Sequence, residues 1–423
     1  MRYLMYIVVV LIAIPEVYAE EKSTPESITL EQVIINVLKG NPQLGMHDFE
    51  AKAAVARIQQ ARLRKPLNAK VDIENFIGTG YYHGLKRFET TLSLATVLES
   101  GDKFSSRGEL AQQQANLLAN EQDSKRLDIL SEAARRFVHV VIDQQRLLIG
   151  QDKLALVKRT YEIVEHRVKA GRSHIAEQRR VVIALARAEI ELEHAEHELA
   201  SSRLKLATSW GETKPQFTTA HADLFDLPSV DSFTRLEALL EQNPDLLRFA
   251  TEQRLAQARI RLAQTRRTPN LELAGGIRYF NDSNDGAFVL SASIPFGAQQ
   301  RAAPVIEEMQ QLMQREPRQH EQRRLALYSS LYEIYQELLH AKNAFQTLNQ
   351  RIIPEAERAA EDYEQGYQSG RFSLLELTES QRTLLDARLE VVMAAAKYHR
   401  FRIEIERLTG TAMRPKLNSG VNQ

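Results

Sequence analysis

Landmarks in this chain occur twice, in one order and at one offset. Residues 30–44 read LEQVIINVLKGNPQL and 236–246 read LEALLEQNPDL, so Asn41-Pro42 returns as Asn243-Pro244. Ala56-Arg57-Ile58 is answered by Ala258-Arg259-Ile260, Gly171-Arg172 by Gly370-Arg371, Glu177 by Glu376, and Trp210-Gly211 by Thr409-Gly410. The offset stays near 200 residues throughout. A period that long marks one large duplicated unit, and any fold must accommodate two similar halves. We expect the first unit over 20–214, a linker with two prolines over 215–232, the second unit over 233–411 and a tail over 412–423.

Each half reads in the same order: a helix, two short strands, a very long helix, a glycine turn and a second long helix. Only 18 glycines and 13 prolines occur in 423 residues, well below the ~12% usual share, which favours long helices over a sandwich. From Lys103 to Lys169 no proline intervenes. Leu127, Leu130, Ala134, Phe137 and Val141 keep 3-4 spacing, as do Leu154, Val157, Tyr161, Val164 and Val168. That is a coiled-coil seam. Leu338, Ala341, Phe345, Leu348 and Ile352 repeat it in the second half, with a kink expected at Pro354. Gly171 and Gly370 then reverse the chain, and 173–209 and 373–409 run back.

The strands have a different period. Leu271, Leu273, Gly275, Ile277 and Tyr279 alternate with Glu272, Ala274, Gly276 and Arg278. Phe288, Leu290, Ala292, Ile294 and Phe296 follow after the turn NDSNDG; Val71 and Ile73, then Phe88, Thr90, Leu92 and Leu94, do the same in the first half. Each run is about 10 residues, the length of a tilted strand that crosses a bilayer. Four such strands cannot close a barrel, whose smallest examples have about 8, and an open edge in lipid costs several kcal/mol per unsatisfied group. If these strands span a membrane, several chains must share one barrel, with the helical rods forming a tube beneath it.

The N-terminus reads as an address. Arg2 precedes an apolar run over 4–14, Pro15 breaks it, and Val17-Tyr18-Ala19 places small residues where a signal peptidase reads. We expect a signal peptide over 1–19, cleaved after Ala19, because the run is too short to span a bilayer. The mature chain then works outside the cytoplasm. With no cysteine it has no disulfide, thiolate ligand, cysteine nucleophile or lipid-bearing cysteine. The 55 basic side chains balance 55 acidic ones, so no nucleic-acid partner is implied. A mean hydropathy of -0.37 excludes a polytopic helical membrane protein but not a β-barrel.

The tip signatures HRVKAGRSHIAEQR and GYQSGRFSLLELTESQRTLLDAR, with the Asn-Pro helix and paired strands ahead of them, resemble the TolC-type outer-membrane efflux channels over the whole mature chain. ESGDKFSSRGELA, after the second strand, is similar to the "gGKR..R" segment of the CzcC-like heavy-metal-efflux branch, with Ser100 and Asp102 departing from it. The resemblance implies a mostly α fold with a small transmembrane β part. Long antiparallel α-hairpins would form an α-helical barrel, and four strands per chain would build a 12-stranded barrel in a homotrimer. It further implies an outer-membrane location with a long periplasmic extension. The partners would be outer-membrane lipid, a periplasmic adaptor (membrane fusion) protein and an inner-membrane RND-type pump.

The resemblance also implies a periplasmic gate. Its carboxylate rings match Glu376 and Glu379, one turn apart on one helix face. Its closing tyrosine matches Tyr367 and its first-hairpin acid Glu177; its arginine position holds Phe372, with Arg371 one residue earlier. Adaptor docking would fall at Gly171, Arg172, Gly370 and Arg371.

Elsewhere, His194 and His197 sit at i,i+3 in ELEHAEHELA beside Glu193 and Glu198; they are the candidates for a metal site, although such pairs often lie idle on charged helices. Tyr81, Tyr82 and His83 fall in the first strand-to-strand loop, as an aromatic rim or a plain polar loop. His139, among Phe137, Val138 and Val140, is expected to pack at a helix seam. No GxSxG, P-loop, HExxH or dinucleotide turn is present, so no enzyme activity and no cofactor are expected. The reading is a passive exit duct exporting divalent heavy-metal cations. The alternatives are the same duct for drugs, organic solutes or type I secretion, and a soluble periplasmic coiled-coil adaptor or scaffold.

Overall fold

The computed structural model describes residues 27–410; the expected signal peptide, its cleavage after Ala19 and the tail over 412–423 lie outside the described residues. The chain runs β1 (Ser27–Ile28), α1 (Leu30–Gly40), α2 (Pro42–Ala61), β2 (Asn68–Glu74), β3 (Glu89–Leu98), α3 (Lys103–Lys169) and α4 (Ile175–Ala207). It continues with β4 (Thr219–Ala220), α5 (Phe233–Leu240), α6 (Pro244–Leu247), α7 (Phe249–Thr265), β5 (Leu271–Phe280), β6 (Asp285–Ser293), α8 (Ala298–Thr347), α9 (Ile353–Gln368) and α10 (Leu374–Thr409). The 67 residues of α3 make a rod of about 100 Å.

The rods form a wall. Near the sheet the neighbours run α2, α3, α7, α8; farther away they run α4, α3, α10, then α8 and α9. Thus α3 and α8 traverse the wall, and the shorter helices stack end to end beside them. The Asn-Pro motif makes those junctions. Asn41 Oδ1 accepts the Gln43 and Leu44 N–H groups at 2.9 and 3.0 Å, and its Nδ2 donates to the Ser209 carbonyl at 2.8 Å. Asn243, fully buried, accepts from Asp245 N–H and donates to the Leu408 carbonyl, both at 2.7 Å. One amide therefore satisfies the start of one helix and the end of another, and the proline occupies N1, where no N–H is needed.

The second long helix carries more proline than a straight rod should. Pro304 and Pro317 lie inside α8. The kink expected at Pro354 takes the form of a π turn over Leu348–Ile352, just ahead of it. The turn absorbs the missing donor and the crowded carbonyl that proline creates. Its extra residue advances the phase, so Leu348 stays buried while Ile352, expected in the seam, is exposed.

Four strands form one antiparallel sheet in the order β2-β3-β5-β6. The register sets Val71, Leu92, Ile277 and Phe288 in one row, and Ala69, Leu94, Gly275 and Leu290 in the next. All the residues of both rows are apolar or glycine. Phe288 and Leu290 are 92% and 85% exposed. The opposite face is polar: Arg278 bonds Glu74 at 2.8 Å, Glu89 at 3.0 Å and Thr91 at 2.9 Å. Gly276 is required where β5 meets β3, since a Cβ there would lie 2.3 Å from the Leu92 carbonyl oxygen. At the sheet-to-helix junction, Lys103 of the GDK segment reaches Thr268 and Asn270 in the other half.

The segment 215–232 packs against the wall. Phe217, Ala220 and Leu224 are buried, and β4 pairs in parallel with β1. Gln144 bonds both the N–H and the carbonyl of Ala220, and His399 Nε2 donates to the Leu224 carbonyl at 2.9 Å. The β1–β4 pair has no signal in two-residue runs. In the first strand-to-strand loop the Arg87 guanidinium lies over the Tyr81 ring at 3.4 Å. The expectation for His139 is corrected: its side chain is 59% exposed and its Nδ1 lies 3.0 Å from the buried carboxylate of Asp143. Phe137, Val138 and Val140 fill the seam beside it.

Candidate functional site: the hairpin tips

The two long hairpins turn in the same way. Gly171 and Gly370 have φ of +68° and +80°. Arg172 N–H donates to the Arg167 carbonyl and Arg371 N–H to the Gly366 carbonyl, both at 2.8 Å. These are helix ends closed by a left-handed glycine, where a side chain would be strained. His174 and Ser373 then cap the returning helices. The side chains of Arg172 and Arg371 stand exposed on the turns.

Between the tips lies a small apolar cluster of Val164, Val181, Tyr367, Leu374 and Leu377. Tyr367 is 2% exposed, and its hydroxyl donates to Glu177 Oε2 at 2.8 Å. Burial pushes the phenol's pKa up, and the bond to Glu177 adds to this against the opposing bond to Ser173. The structure thus brings Tyr367 and Glu177 together across the two hairpins. Arg371 lies outside that contact: its Nε donates to its neighbour Ser369 at 3.2 Å. Phe372 packs on Tyr363 with ring centroids 4.7 Å apart, over Gly366, where a Cβ would meet the Phe372 ring at 2.1 Å.

The arginine that joins the hairpins is Arg167, which sequence reasoning missed. Its Nη1 donates to the Tyr367 and Gln368 carbonyls at 2.6 and 3.0 Å, and its Nε to Ser173 Oγ at 3.0 Å. Its guanidinium sits 4.7 Å from the Tyr367 ring centroid. The only sequence signal was its place in the last turn of α3, where a cation suits exposed carbonyls. Above it, buried Gln381 and Thr160 bond at 3.0 Å, a polar tie between α10 and α3.

The two candidate carboxylates are placed differently. Glu376 Oε2 accepts from Ser373 N–H and Oγ at 2.8 Å each, completing a capping box. The Ser373 backbone bond holds its pKa below the usual carboxylate value. Glu379 pairs with Arg382 at 2.6 Å, and both are exposed. His194 lies 3.8 Å from Glu198 and His197 3.6 Å from Glu193, two separate exposed pairs. Among the described residues no group of three or more His, Asp or Glu side chains could hold a metal ion.

A family model described as outer membrane efflux protein matches residues 33–212 and 236–411. The cobalt-zinc-cadmium resistance protein CzcC of Cupriavidus metallidurans is 25% identical over 404 residues, covering 93% of this chain and 92% of that protein. Among solved structures, CusC matches with a TM-score of 0.73 at 17% identity, over 93% of this chain and 95% of its own. VceC of Vibrio cholerae matches with 0.69 at 16% identity, over 90% and 96%.

Proposed function

The chain belongs to the outer membrane efflux protein family, and we propose that three copies form the exit duct of a tripartite system that exports divalent heavy-metal cations. The observation that carries the assembly is the sheet. It has an exposed apolar face, a polar face and two free edges, β2 and β6. Such a sheet suits lipid on one side and water on the other once neighbouring chains pair with both edges. Three copies of four strands give 12. The duct docks on a periplasmic adaptor through the turns at Gly171, Arg172, Gly370 and Arg371, and an inner-membrane pump of the RND type supplies the energy. Metal cargo is supported by the likeness to CzcC, a protein named for cobalt, zinc and cadmium resistance.

The contact of Arg167, Tyr367 and Glu177 is the gate's closed-state latch in this reading, with Glu379 and Glu376 on the helix face just inside it. The test is a deletion strain examined for cobalt, zinc, cadmium and drug tolerance, with the complementing protein recovered by membrane fractionation. Expected are lost metal tolerance and a heat-labile trimer in the outer membrane. Drug sensitivity alone would reassign the cargo, and a soluble periplasmic monomer would overturn the duct.

A further inference from the structure

Midway along the wall, α3, α4 and α10 enclose an open groove of about 680 Å³. Six cations line it: Arg135, Arg136, Arg146, Lys205, Lys397 and Arg400. Carboxylates answer only part of this charge. Arg135 pairs with Glu404 at 3.0 Å and with Glu132, which Arg136 shares. Arg146 lies 3.6 Å from Asp143 and 3.7 Å from Glu198. Among the described residues, no ion pair joins exposed Lys205, Lys397 or Arg400 to a carboxylate. Half-exposed His139 adds a further ring donor to the same wall.

The groove's side of the wall follows from helix geometry. The segment 215–232 docks on Gln144 of α3 and on His399 and Tyr398 of α10. Arg146 and Arg400 stand two residues beyond Gln144 and Tyr398, roughly 200° round the helix. The groove therefore faces away from the docked segment. In a closed tube the added bulk of that segment, α1 and α5 must lie outside, because three copies inside would plug the bore. The groove then opens on the lumen, a placement that rests on the trimeric duct proposed above.

We propose that this groove is a luminal oxyanion site, which takes a small divalent oxyanion of the sulfate or phosphate class and biases the duct's waist toward anions. Arginine forks and lysine ammonium groups from three helices converge there, the donor set that such oxyanions match. Low-dielectric walls focus a charge surplus of one sign. With the oxyanion bound, the waist is close to neutral and no longer repels a divalent cation on its way out.

The test uses full-length mature trimer in detergent and inorganic sulfate, whose charge is fixed near neutral pH. Calorimetric titration is expected to show binding that weakens with salt and falls about tenfold in K205Q/K397Q/R400Q, with thermal midpoint and trimer unchanged. The control K158Q, at an exposed lysine outside the groove, leaves it unaltered. In planar bilayers under a KCl gradient, the triple variant is expected to move the reversal potential toward potassium relative to wild type. No sulfate binding at millimolar concentration, or equal binding in the triple variant, overturns the proposal. Sulfate binding with no conductance even in the latch variant Arg167→Gln overturns the duct reading and leaves the site standing.

Discussion

Asn243 illustrates how one side chain can carry two helix ends. Its amide has both an acceptor for Asp245 N–H and a donor for the Leu408 carbonyl, within a fully buried site. Asn243→Asp keeps the cap but leaves Leu408 facing a carboxylate, and is expected to cost about 1–3 kcal/mol in denaturant unfolding. An unchanged midpoint would remove the junction's importance. His139 gives a pH signature. Its bond to Asp143 raises its pKa above the ordinary 6.5, so its contribution is complete below pH 6.5 and is lost as pH rises through the raised value. Half-buried His399 has the opposite shift, caused by desolvation, so the measurement must be a difference. The gap in thermal midpoint between wild type and His139→Gln is expected to be widest near pH 6 and to narrow toward pH 8–9. A gap that is flat or widens with pH would contradict this.

At the scale of elements, the tips of the two hairpins meet through side-chain hydrogen bonds around a small apolar cluster. Tyr367 and Arg167 join α9 to α3 and α4 around a cluster of five buried side chains. Removing the tyrosine hydroxyl deletes one hydrogen bond worth roughly 1 kcal/mol, or about a fivefold shift toward the open tip. Tyr367→Phe is therefore expected to raise single-channel open probability, and Arg167→Gln to raise it further. Open probability unchanged in both variants would take these residues out of the gate. The π turn before Pro354 belongs to this scale too, as does the Lys103 contact that joins the start of α3 to the other half.

For the whole molecule, the exposed apolar rows of the sheet have no covering partner among the described residues. Adjacent residues of β6 face opposite sides, so they separate lipid from lumen. Leu290→Arg is expected to cost about 2–4 kcal/mol if that row lies at mid-bilayer, seen as loss of the heat-labile trimer. Ser291→Arg, pointing into the bore, is expected to assemble normally. The same defect in both would argue against a lipid-facing row.

The lengths of the long helices, the two faces of each strand and the glycine turns are written in short-range pattern and the doubled landmarks in one long offset, and all were legible in the sequence. Leu290 and Val71 declare their face by alternation alone; Gly171 and Gly370 declare their turns by position. Other features join residues far apart in sequence, and packing alone decided them: Asn243 with Leu408, Arg167 rather than Arg371 beneath Tyr367, and the cations of three helices gathered in one groove. Local pattern fixes which side of an element a residue occupies. Which distant side chain it meets depends on how the elements cross, and that is set by the packed molecule as a whole.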